Sequence, residues 1–226
     1  MKRAQEIVRR LERWLPDATT GLSHDNPFQL LVATILSAQT TDEQVNRVTP
    51  KLFTRYKSVS DFAGADLQEL RALVGGVNFY RTKAKNLKAM ARMLLEKHDG
   101  RVPCDLDALI ELPGVARKTA NVVLGTCFKA AAGIVVDTHV HRVSQRLGLT
   151  KEDTPAKIEQ DLMKVIQQGE WITFGHRMIW FGRKICRARK PLCPGCPLSD
   201  VCPYPAKTRR SELTAEERAA VSRENP

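Results

Sequence analysis

The stretch Leu112-Pro113-Gly114-Val115-Ala116-Arg117-Lys118-Thr119-Ala120-Asn121-Val122-Val123-Leu124 decides how this chain is organised. It reads as the end of one helix, a tight turn and the start of another. Upstream, Asp105 has the chemistry of an N-cap, and Leu106, Leu109 and Ile110 give an apolar pattern up to Glu111. Pro113 ends that helix, and Gly114 supplies the free backbone of a turn. From Arg117 helical spacing resumes, with Ala120, Val123, Leu124 and Cys127 on one face and Val122 beside it. The N–H groups of this second helix open next to a glycine turn, an arrangement that suits a phosphate. Lys118 sits in the first turn, where the helix dipole disfavours a cation, and partial burial would add to that. A neutral amine is a nucleophile and forms a Schiff base with a sugar aldehyde carbon.

Working outward, the 226 residues suffice for a sizeable core in one or two domains. The net charge of +11 favours a polyanionic partner, nucleic acid before membrane. No long apolar run and no signal-peptide core follow Met1-Lys2-Arg3, which predicts an intracellular protein, with no membrane partner. In a reducing compartment six cysteines argue against a disulfide framework.

Along the chain, Ala4, Ile7, Val8, Leu11, Trp14 and Leu15 form the apolar stripe of a first helix that Pro16 ends. Pro27 opens a helix that is nearly apolar all round through Leu36 and so predicts a buried centre. Thr40 and Glu43 have capping-box spacing for a helix over 42–56, leaving Gln39 in a polar turn. A short helix over 66–74 stops at Gly75-Gly76. A loop with Phe79 and Tyr80 then leads into a basic helix over 81–97. Ala84, Leu87, Ala91, Leu94 and Leu95 point inward there, and Lys83, Lys85 and Lys88 spread over other faces. After Gly133, the apolar run Ile134–Val136 reaches Asp137, an N-cap for a helix carrying Val140, Val143 and Leu147. Amphipathic helices over 154–168 and 171–184 follow, with Trp180 and Phe181 expected near the cysteines. From Pro205 the chain is charged, and Ser211 to Arg223 reads as a short helix or a disordered tail. With no strand signal beyond Ile134–Val136, the fold class is all-α.

Cys186, Cys193, Cys196 and Cys202 have the spacing C-x6-C-x2-C-x5-C. Four thiolates so close in sequence can surround one metal centre, either zinc or an iron–sulfur cluster. Zinc sites usually use two short-spaced pairs, and here only the middle pair is short. Arg187, Arg189 and Lys190 lie between the first two ligands, so a metal would pin basic side chains in place for phosphate. Cys104 and Cys127 fall outside the tetrad and read as small hydrophobes.

Four separated motifs, LPGVARKTANVVL, the LSAQ-T-D turn, VDTHV-x-RV and the cysteine spacing, resemble the endonuclease III family of helix-hairpin-helix DNA glycosylases with abasic-site lyase activity. The resemblance covers about residues 1–205. It implies a two-lobed fold: a six-helix barrel domain over about 22–130 that contains the hairpin (105–128), and a [4Fe–4S] domain made of 1–21 with 131–205. A charged tail (206–226) would remain. It also implies Lys118 as Schiff-base nucleophile, Asp137 as the second catalytic group, and a [4Fe–4S] cluster rather than zinc on the four cysteines. Gln39 would fill the gap left by the extruded nucleotide, and Phe79 would wedge into the stack where the family often has leucine. Gly114, Val115, Ala116 and Arg117 would grip phosphate, with His139, Arg187, Arg189 and Lys190 as further DNA contacts. The family usually has a second glycine where this chain has Ala116, and an alanine held at positive φ there would cost about 1 kcal/mol. The implied activity is base-excision repair of oxidised pyrimidines in double-stranded DNA, with β-elimination at abasic sites, by a monomer. Two rivals stand beside it. A mismatch-type monofunctional glycosylase lacks the lysine and carries an extra C-terminal domain. A non-catalytic or weakly active helix-hairpin-helix DNA-binding protein would need neither Lys118 nor Asp137.

Overall fold

The computed structural model describes residues 2–223, and every regular element in it is helical. The chain divides into two compact units, Thr20–Ala132 and Met1–Thr19 with Gly133–Pro226. The second unit contains α1 (Lys2–Trp14), whose Ile7 and Leu11 are fully buried. The first unit runs from α2 (Pro27–Ser37) through α3 (Asp42–Arg55), α4 (Val59–Gly64), α5 (Leu67–Leu73), α6 (Tyr80–His98) and α7 (Leu106–Ile110) to α8 (Arg117–Phe128). The chain then returns to the other unit with α9 (Thr138–Arg146), α10 (Pro155–Val165), α11 (Trp171–Lys184) and α12 (Ala215–Arg223).

Helix α2 is the centre of its unit. The Asn26 side chain accepts from Gln29 N at 2.9 Å, and Pro27 at the first position lacks an N–H that would need a partner. Leu30 through Leu36 are all buried, and α3, α6 and α8 pack around them. Helix α4, which lies between two of the expected helices, is held by a capping box. Ser58 Oγ accepts from Asp61 N while the Asp61 carboxylate accepts from Ser58 N. Its Phe62 is fully buried, with Phe28 edge-on at 5.2 Å and Tyr56 at 5.4 Å. Truncating Phe62 to alanine is therefore expected to destabilise this unit by about 3–5 kcal/mol, measured as a lowered urea midpoint.

In the other unit α1 and α9 pack on α11 around Val140, Val143, Phe174, Met178 and Phe181. Arg177, 5% exposed, donates to Leu15 O at 3.0 Å and to Pro16 O at 3.3 Å, satisfying the carbonyls left open where α1 ends.

Several expectations need correction. The cap of α3 is Thr41, whose hydroxyl accepts from Gln44 N, and not Thr40. Leu95 and Ile110 are exposed, at 40% and 42%, because each lies one position beyond the buried stripe of its helix, next to the fully buried Leu94 and Leu109. Cys104 is exposed and so is no core residue. Lys83, expected on an outer face, is buried. The charged tail contributes Leu213, 4% exposed, to the core of its unit, and α12 follows it.

Candidate functional site

The hairpin forms as its residue types dictate. Asp105 caps α7 by accepting from Ala108 N at 2.8 Å. Leu112 is buried, and Gly114 takes φ +83°, which a side chain would resist. A Cβ there would also meet the Asn86 amide at 2.9 Å. Val115 closes the turn: its side chain is buried and its N–H donates to Leu112 O at 3.0 Å. Ala116 has φ −90° and ψ 164°, extended backbone that alanine adopts without strain. The departure from glycine therefore carries no backbone cost. Ala116 is the N-cap of α8 and offers no side-chain acceptor, so no side chain caps the first turn. Gly114, Ala116, Arg117 and Lys118 are all exposed. Lys118 is thus not part-buried as the sequence reading considered. It makes no hydrogen bond or ion pair among the described residues.

Two loops of the same unit meet beside α2. Gln39 is exposed with φ 54°, and Phe79 is 64% exposed with φ 56°. Left-handed backbone costs a non-glycine residue about 1–2 kcal/mol and persists where surroundings over-determine it. Asn78 supplies part of that constraint: its side-chain amide donates to Gln39 O, and its backbone N–H donates to Thr40 Oγ1 at 3.1 Å. Gln44 Nε2 adds a bond to Gly76 O at 2.9 Å. Lys83 Nζ donates to Leu36 O and Ala38 O, each at 2.7 Å, and to Thr40 Oγ1 at 3.2 Å. Burial pushes the Lys83 ammonium down to about 8, while the carbonyls ending α2 favour its charge.

In the other unit, Asp137 caps α9. Both cap bonds use Oδ1, which accepts from His139 N and Val140 N at 2.8 Å. Oδ2 carries no hydrogen bond among the described residues. His139 is half-buried, and burial holds its imidazole below the ordinary histidine range. A Cβ at Gly182 would lie 2.8 Å from His139 Cβ, so α9 and α11 approach closely here. Arg142 Nη2 lies 3.3 Å from His139 Nδ1 and 2.9 Å from Gly182 O.

Cys186, Cys193, Cys196 and Cys202 line one cavity with Arg146, Leu147, Phe181 and Tyr204. Phe181 is the expected aromatic neighbour. Trp180 is instead tied to Thr19 O at 2.8 Å, with the guanidinium of Arg183 over its ring. Burial pushes the Cys196 thiol up to about 12 and raises that of Cys186, so thiolates here need a cationic centre. Among the described residues no group of three such side chains converges at single-ion distance. Four thiols lining one cavity suit a thiolate-bound metal centre. Arg146 donates to Cys186 Sγ at 3.4 Å, Arg187 O at 2.7 Å and Ala188 O at 3.0 Å, which shapes the ligand loop. Arg187, Arg189 and Lys190 are exposed on it, and Lys190 has φ 46°. Lys83 and Arg146 escape the sequence reading because each sits in a basic helix, where a charge reads as solvated.

Comparison with known proteins bears on these observations together. The family model described as HhH-GPD superfamily base excision DNA repair protein matches residues 32–168. Endonuclease III of Synechocystis sp. is 52% identical over 202 residues, covering 89% of this chain and 92% of that protein. Endonuclease III of Bacillus subtilis is 43% identical over 203 residues, covering 89% and 92%. A trapped endonuclease III–DNA covalent intermediate superposes with a TM-score of 0.84 at 45% identity, covering 89% of this chain and 96% of the other. The chain belongs to the endonuclease III family, within the HhH-GPD superfamily of base excision DNA repair proteins.

Proposed function

We propose that this chain, a DNA glycosylase with AP lyase activity toward oxidised pyrimidines, uses Lys118 as its nucleophile and Asp137 as its anionic partner. The observation that carries the reading is the first turn of α8, which presents exposed Lys118 at a helix N-terminus whose backbone N–H groups no side chain caps. A phosphate bound by those groups brings a sugar within reach of the amine. The Lys118 amine bonds to C1′ through its lone pair, giving up a proton to solvent, as the damaged base leaves with its bonding electron pair. Asp137 stabilises the positive charge through Oδ2, because Oδ1 is committed to the helix cap. The sugar ring opens and the nitrogen becomes an iminium. Loss of a C2′ proton then expels the 3′ phosphate, and water releases the unsaturated aldehyde from Lys118.

The partner is double-stranded DNA carrying a damaged pyrimidine or an abasic site, met by a monomer in the cytosol. The existence of solved endonuclease III–DNA complexes supports DNA as the partner. Gln39 fills the gap and Phe79 enters the stack, supported by their exposure side by side on bonded loops. Gly114, Ala116 and Arg117 take phosphate; Val115 acts by closing the turn. Arg187, Arg189 and Lys190 add further phosphate contacts, and His139 acts as a neutral neighbour of Asp137.

The four cysteines hold a [4Fe–4S] cluster, which when bound would supply the cationic core that partly buried thiolates require. It shapes the basic loop and supplies no step of the reaction. Cys196→Ala should therefore remove iron and labile sulfide from the purified protein. It should also open the Arg187–Lys190 segment to trypsin, with the loss read by metal analysis and peptide mapping. Among the described residues no helix is long and apolar enough to cross a membrane.

Product analysis tests the function. A duplex with one oxidised pyrimidine should yield free base, a 5′-phosphate fragment and a 3′ unsaturated aldehyde end. Free base with an intact abasic strand would replace the lyase reading with hydrolysis by water.

A further inference from the structure

Lys83 takes no part in the chemistry above, yet it is one of the few buried charged residues, at 5% exposure. Its acceptors are Leu36 O in the last turn of α2, Ala38 O at the C-cap and the Thr40 hydroxyl, at 2.7, 2.7 and 3.2 Å. Those carbonyls lack intrahelical donors and sit at the negative end of the helix dipole, so an ammonium is the fitting partner. Thr40 Oγ1 also accepts from Asn78 N, and Asn78 donates onward to Gln39 O. One buried cation thereby joins the end of α2, the turn of Gln39 and the loop of Phe79. Both of those residues hold left-handed backbone that relaxes unless it is held.

We propose that Lys83 is a positioning residue for duplex entry: through Ala38, Thr40 and Asn78 it locks the Gln39 turn to the Phe79 loop, so that both side chains enter the stack as one rigid probe. The inference rests on reading Gln39 as the gap-filling group and Phe79 as the wedge. Lys83 touches no reacting atom, so its loss should separate invasion of a duplex from chemistry at an abasic sugar that needs no invasion.

The experiment uses the cluster-loaded full chain with Lys83→Met, Gln39→Ala, the double variant and Thr40→Val. Methionine preserves the stem length and removes the donor, and Thr40→Val removes one link while keeping the shape. Each protein is assayed for single-turnover excision from a lesion-bearing duplex and for borohydride trapping on a single-stranded abasic oligonucleotide. The expected result is that Lys83→Met loses roughly 10²-fold on the duplex, the scale of a misplaced positioning group, and less than about threefold on the single strand. Thr40→Val should lose less in the same direction. The double variant should lose clearly less than the product of the two single losses, because Lys83 acts in part through the side chain that Gln39→Ala removes.

Equal loss on both substrates, or losses that multiply in the double variant, would overturn the proposal. So would duplex activity at the wild-type level in Lys83→Met, or in Thr40→Val if Lys83→Met does not fold. A normal Gln39→Ala would instead remove the gap-filling reading, and the role of Lys83 with it. A defective Gln39→Ala beside a normal Lys83→Met removes Lys83 alone.

Discussion

Lys118→Ala loses borohydride trapping of an abasic-site duplex by roughly 10⁴-fold or more, the scale expected when a covalent nucleophile is removed. The adduct requires an iminium between Nζ and C1′, and alanine offers no nitrogen. Duplex affinity should change by less than about tenfold, since one exposed cation among many phosphate contacts supplies a small share of binding. Stability should hold or rise by a few tenths of a kcal/mol, because a cation leaves the positive end of a helix and alanine enters a helical position. Lys118 is exposed and makes no ion pair among the described residues, so nothing in the fold opposes that gain. An adduct of undiminished yield in the variant would assign the nucleophile to another amine. Loss of trapping together with an equal loss of binding would make Lys118 a phosphate contact.

Asp137→Asn should be slower in base release by roughly 10²–10⁴-fold while melting within about 2 °C of the wild type. The structure makes this substitution unusually clean. Both cap bonds fall on Oδ1, and asparagine keeps an oxygen there and is as good an N-cap as aspartate. Only the charge and the free Oδ2 are lost. Asp137→Ala, by contrast, should destabilise by about 1 kcal/mol through the cap and so mix folding with chemistry. Single-turnover base release and a thermal melt on both variants separate the two contributions. Wild-type base release by Asp137→Asn would reduce Asp137 to a structural cap.

The sequence is informative where one residue type has one local solution. Pro27 at a helix start, Gly114 at positive φ and Asp137 beside two amides needed only neighbours within a few positions to be placed. The all-helical class followed from periodicity, and most helices lie within a few residues of where spacing puts them. Reading fails where two adjacent residues share the same chemistry. Thr40 and Thr41 both have a hydroxyl at capping distance in sequence, and the fold assigns the cap to Thr41 and the Lys83 contact to Thr40. It fails again where a partner is distant in sequence. Lys83 reads as a surface charge because the carbonyls that receive it belong to α2, more than forty residues earlier. Leu213 reads as part of a charged tail because the core it joins is made largely of residues remote from it in sequence, those of α1, α9 and α11 among them. For the site, the spacing of the cysteines is local and legible. The bond from Arg146 to Cys186 Sγ is not, because it joins α9 to a loop beyond α11.

The discontinuity of one unit has a consequence during synthesis. Residues 1–19 pack with residues beyond 132, so α1 leaves the ribosome with its apolar stripe and no surface to cover it. At about 5–20 residues per second, some 10–40 s separate the emergence of α1 from that of Leu213. The intervening unit can close in that interval, while Ile7 and Leu11 wait exposed. The nascent chain should therefore engage hydrophobe-binding chaperones through its first helix. Trapping ribosome-bound chains of increasing length and crosslinking from position 7 would show release only once α11 and the cysteine loop have emerged.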